Sequence, residues 1–85
     1  MNADLPGTSW MEPDGLHVDV RDLGPPDPMV AILGHLETPG QHGPVTVHHD
    51  RHPLYLFPEL AERGWTWRQI PGEEGEVRLI LSLQP

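Results

Sequence analysis

The sequence has no cysteine, so neither a disulfide nor thiol chemistry is open to this chain. Basic residues are scarce, with 5 Lys and Arg against 13 Asp and Glu, for a formal charge of −8. Nucleic-acid binding is driven by cations that displace counterions from phosphates, so this balance excludes it as an expectation. Anionic membrane surfaces are disfavoured for the same reason. No apolar run approaches the roughly 20 residues needed to cross a bilayer. Met1 to Gly15 lacks a basic segment followed by an apolar one, so no signal peptide is expected and the expected location is cytoplasmic. At 85 residues the chain makes one domain with a thin core.

Residues 1–14 carry Pro6, Gly7, Pro13 and several acids without periodicity, and read as a flexible N-terminal arm before a domain over 15–85. Trp10 and Met11 stand out there, because large apolar side chains in a tail either dock on the domain or belong to a disordered leader. Leu16 to Arg21 alternates strictly, with Leu16, Val18 and Val20 on one face and His17, Asp19 and Arg21 on the other, which predicts a half-buried strand. Asp22 to Pro26 is a turn cluster. Asp27 then precedes Pro28, an N-cap followed by proline at the first helical position. Met29, Ile32, Leu33 and Leu36 recur at helical spacing up to Glu37.

Val45 and Val47 predict a second strand, with Thr46 and His48 on its other face and His49 continuing the apolar side. Asp50 is placed to cap a second helix with the stripe Leu56, Phe57, Leu60 and Ala61, ended by Gly64. Pro58 conflicts with a helix already running, so that helix is irregular at its start or begins late. Trp65 to Ile70 and Val77 to Leu83 alternate around a Pro-Gly-Glu-Glu-Gly-Glu turn and read as a hairpin, with both tryptophans expected in the core.

The expected fold is therefore an α+β two-layer sandwich, βαβαββ. It has a four-stranded mixed sheet and two helices packed on one face, the same-side placement following from right-handed crossovers. The other face carries His17, Asp19, Arg21, Thr46, His48, Thr66, Arg68, Arg78 and Ser82 and is expected to be solvated. Ile80 on that face hints at partial cover from the arm or a second subunit.

If the first two strands are parallel, the segments 21–28 and 48–55 leave the sheet at one carboxyl rim, where open α/β sheets place ligands. This defines the candidate contact site: Arg21, Asp27, His48, His49, Asp50, Arg51, His52 and Tyr55. For Asp27 and Asp50, plain helix capping competes with that role.

The run His48-His49-Asp50-Arg51-His52 raises a metal reading. His48 and His49 point to opposite faces of a strand and match no standard zinc spacing, which leaves His49 with His52 as the alternative ligand pair, helped by Asp50 or His17. No cofactor is expected. An acid–base pair of His49 and Asp50 is the enzymatic alternative, supported by adjacency alone, and no catalytic residue is assigned. No serine lies in a nucleophile-elbow pattern, and the glycines form no phosphate cradle.

The stretch Leu16 to Met29, the run His48-His49-Asp50-Arg51-His52-Pro53-Leu54-Tyr55 and Gly64-Trp65-Thr66-Trp67 resemble the domain-of-unknown-function family 2249, over roughly residues 16–83. His48 stands where that family usually has an acid, and Arg51 where it has proline. The family is similar in fold to the small TusA-like (SirA-like) sulfur carriers, which hold a persulfide on the cysteine of a Cys-Pro-x-Pro motif at the first helix. Here the corresponding run is Pro25-Pro26-Asp27-Pro28, without a thiolate. The resemblance thus implies the carrier scaffold without sulfur transfer. It points to a non-enzymatic module that contacts a protein partner or a small ligand at the rim.

Overall fold

The computed structural model of the chain describes residues 5–85. Five strands and two helices follow in the order β1 (Thr8–Glu12), β2 (Gly15–Asp19), α1 (Asp27–Leu36), β3 (Val45–His49), α2 (Leu56–Glu62), β4 (Trp65–Ile70) and β5 (Val77–Leu83). The strands form one mixed sheet in the order β1-β2-β3-β5-β4, in which β2 and β3 run parallel and every other neighbouring pair antiparallel. No helix among the described residues is long and apolar enough to cross a membrane.

The expected α+β class stands, but the sheet has five strands where the pattern predicts four. The fifth is β1, within the segment read as an arm, whose residues 1–4 lie outside the described ones. All five β1 residues are exposed, so no face had to be apolar and no alternation marks the strand. The tight turn to β2 is closed by Gly15 at φ 122°, with its α-carbon against the carbonyl of Pro44.

The helical face holds the core. Val18 and Val20, Val45 and Val47, Leu79 and Leu81, and Trp65 pack under Ala31, Ile32 and Leu36 of α1 and Leu56 and Leu60 of α2. Trp67 is less covered than expected and stacks on Phe57 at 4.8 Å. Arg63 joins the ends of the two helices, bonding Glu37 at 2.8 Å and Glu59 at 2.7 Å.

Two expected caps do not form. Pro26 is the N-cap of α1, without a side-chain bond, and Asp27 is already helical. The N-cap of α2 is Tyr55, five residues beyond Asp50. The late start removes the conflict at Pro58, which falls at the third helical position, where a backbone N–H has no intrahelical partner to lose.

The opposite face departs from expectation. His17, Thr46 and His48 are buried there rather than solvated. The cause is β1, whose Trp10 pairs with His17 across the strands and lies over both imidazoles at 5.4 Å.

Candidate functional site

The parallel register Leu16–Val45 to Asp19–His48 brings the chain out of β2 and β3 at the same rim. The pairing continues one residue further, with the Val20 N–H donating to the His48 carbonyl at 2.9 Å. Asp50 then ties the two outgoing segments together, its Oδ2 accepting the Asp22 N–H at 3.0 Å. That bond, with Arg51 beside it, holds the Asp50 carboxyl down at about 2. Asp50 is therefore an ionised strut between loops.

Between the two segments lies a cavity of about 290 Å³. Its walls are apolar: Pro25, Pro28, Met29 and Ile32 from the α1 side, and Pro53, Leu54 and Leu56 from the α2 side. Arg51, His52 and Tyr55, all exposed, complete the lining.

His49 also lines this cavity and is only 2% exposed. Its Nδ1 accepts the backbone N–H of Asp50 at 2.9 Å and of Arg51 at 3.3 Å. Burial pushes the imidazole pKa down, against the opposing pull of the Asp50 carboxylate, so the ring is neutral. With its lone pair committed at Nδ1, the ring carries its proton on Nε2. Among the described residues no atom accepts from that Nε2 and no buried side-chain nitrogen or oxygen is without a partner, so Nε2 has some access from the cavity that His49 lines. The arrangement is an apolar recess with one buried neutral hydrogen-bond donor, His49, and with Arg51, His52 and Tyr55 exposed at its mouth.

The structure divides the predicted site residues. His49, Arg51, His52 and Tyr55 come together at the cavity, with Asp50 bracing it. Arg21 folds back in a two-pronged pair on Asp19, at 3.0 and 2.8 Å, away from the cavity. Asp27 is exposed in the first turn of α1 and does not line it. His48 lies on the opposite sheet face, bonded to His17 and Glu76, as alternation along a strand requires. Sequence reasoning missed Met29 and Ile32 as site residues by assigning them to the core, and missed the proline walls by reading Pro25 as part of a turn and Pro28 and Pro53 as helix starts. Three prolines in 25–28 facing a His-x-x-x-Pro-Leu segment were the available signal.

Among the described residues no group of three or more His, Asp or Glu side chains is placed to hold a metal ion. The His49–His52 alternative therefore lacks a third ligand, and Nδ1 of His49 is already taken by backbone N–H groups.

The fold and its rim define a small α+β protein with one helical layer and a mainly apolar recess, holding a buried histidine, where the parallel strands end. Residues 17–81 match the family model described as "Uncharacterized conserved protein (DUF2249)", and the chain belongs to that family. No curated protein and no solved structure gives a significant match.

Proposed function

We propose that the chain is a non-enzymatic binding module that takes a small, mainly apolar molecule, bearing one hydrogen-bond acceptor, into the rim cavity. The observation that carries this reading is the neutral, buried His49, whose Nε2–H has no acceptor among the described residues, set among apolar walls. The buried donor among those walls favours a carbonyl or ether oxygen and disfavours a cation. An anion would find only Arg51, which is exposed and already paired with Asp50 at 3.1 Å. The volume sits near the low end of small-molecule pockets, roughly 300–1,000 Å³. The TusA-like likeness fits the reading as a scaffold only. With no cysteine in the chain, sulfur carriage is not part of the proposal. A cytoplasmic location is likewise an inference from composition.

Cyclohexanone and methylcyclohexane, titrated separately into the full chain and followed by NMR, test this. The ketone is expected to bind in the millimolar range, moving the Met29, Ile32 and Leu56 methyls and the His49 ring N–H. The hydrocarbon is expected to bind roughly threefold to tenfold more weakly, the worth of one net hydrogen bond. His49→Phe should equalise the two. No shift at these residues, or equal binding to the original chain, overturns the reading.

A second reading has its own observation. Leu54 and Tyr55 are 70% and 85% exposed beside the cavity, an apolar pair suited to a protein partner whose side chain fills the recess. Loss of a native partner in pull-downs with a Leu54→Ser, Tyr55→Ser variant, together with no response to either small probe, would favour it.

A further inference from the structure

On the open face of the sheet, away from the rim cavity, four side chains form one line of hydrogen bonds. His17 Nε2 lies 2.8 Å from Asp14 Oδ1, His17 Nδ1 lies 2.8 Å from His48 Nε2, and His48 Nδ1 lies 2.7 Å from Glu76 Oε2. Every ring nitrogen of the pair is engaged.

Each of the three contacts needs one proton, because two lone pairs cannot face each other at these distances. Two neutral imidazoles carry only two ring protons. Both ends of the line are carboxylates, which accept and do not donate when ionised. Glu76 is kept ionised by the Arg78 guanidinium on both its oxygens and by the Glu73 N–H, which together outweigh the opposing effect of burial. The bond from His17 likewise lowers the Asp14 carboxyl. The third proton must therefore come from outside the neutral set, wherever along the line it resides.

We propose that His17 and His48 together bind one extra proton, and that this proton fastens the edge strand β1 and its turn to the sheet. The charges around the pair suit a positive guest. Asp14 from the β1–β2 turn, Asp19 from β2 and Glu76 before β5 face it, against Arg21 and Arg78, and Glu12 and Glu73 add further negative charge nearby. From β1 the Trp10 ring stacks over both imidazoles, whose own centroids are 5.1 Å apart, and an aromatic face attracts a cation.

Loss of the proton leaves two protons for three contacts. The contact that opens is Asp14–His17, because the Asp14 side chain is 65% exposed and water can replace His17, while the His48–Glu76 end is buried. Asp14 sits in the turn that returns β1 to β2, and among the described residues β1 pairs with no strand besides β2. Proton release thus loosens β1 and uncovers the His17–His48 face.

Long-range proton–nitrogen NMR of the full chain tests the count. At neutral pH the two rings are expected to carry three protons: one on His17 Nε2, one on His48 Nδ1 and one shared between the rings. On scanning from about pH 5 to about pH 10, both rings should lose one proton in a common step, accompanied by faster amide exchange across Thr8–Glu12. Asp14→Asn is the decisive variant, since the amide donates to His17 Nε2 and supplies the third proton itself. It should keep β1 protected and abolish the common step. Only two ring protons at a pH where β1 is fully protected, or an unchanged step in Asp14→Asn, overturns the proposal.

Discussion

Replacing Glu76 by alanine is expected to destabilise the chain by about 3 kcal/mol, a large share of the roughly 5–15 kcal/mol that holds a small domain together. The Glu76 side chain is 1% exposed and receives His48, two nitrogens of Arg78 and the Glu73 N–H. Truncation leaves a half-buried guanidinium and a buried imidazole N–H without their acceptor. Arg78 can partly turn to water, which keeps the loss at the low end of the roughly 3–5 kcal/mol seen when a buried charge loses its partner. Urea midpoints of the two chains at neutral pH measure the difference.

The same residue sets an acid dependence. Arg78 is the main cause that brings the Glu76 carboxyl from 4.5 to about 2 in the folded chain. A depressed folded value means the stabilisation is complete above 4.5 and is lost as pH falls toward about 2. Glu76→Gln removes that proton linkage, so its stability should fall less steeply over this window. The slope will not vanish, because Asp50 is also held at about 2 and contributes in the same direction. A Glu76→Gln chain whose acid unfolding runs parallel to the original would refute this account.

Ile32→Ala is the second large effect. Ile32 is 1% exposed, belongs to the core and also lines the rim cavity. Burial of this kind gives losses of roughly 2–5 kcal/mol on truncation. Here the new space joins a cavity that is already open, so the surroundings are not left around a sealed void, and the cost should lie near 2–3 kcal/mol. The enlarged recess should then accept a bulkier ketone than the original chain does, and such a ketone should restore part of the lost stability by mass action. Thermal unfolding with and without the ketone checks both parts. A loss without any gain in ligand size would mean that the side chain contributes to the core alone.

The helices and four of the strands were legible because burial imposes a period. Val18 and Val20 alternate with His17 and Asp19, and Ile32 and Leu36 recur at one turn, since each element turns an apolar face to the core. Thr8–Glu12 carries no such mark, as an edge strand with every residue exposed is under no requirement to alternate. Its cues were Gly7 before it and Pro13-Asp14-Gly15 after it, a pair of turn signals around a Trp-containing run. Missing that strand also hid the burial of His17 and His48, because polar residues on an outward face read as solvated unless something covers them. At the rim, the segments 21–28 and 48–55 could be brought together from alternation and crossover handedness. Which side chains line the recess depended on features that local pattern does not encode: the fold-back of Arg21 onto Asp19, and the late start of α2.

Asp50 gives the recess a mechanical property. Its two walls descend from separate stretches of chain, and the carboxylate bridging to the Asp22 amide is the crosspiece between them. Parting the two segments at that point would break a hydrogen bond to a charged acceptor. A guest that wedges the walls apart would work against that bond and against the Val20–His48 pairing beside it, so the span they leave sets the girth of what fits.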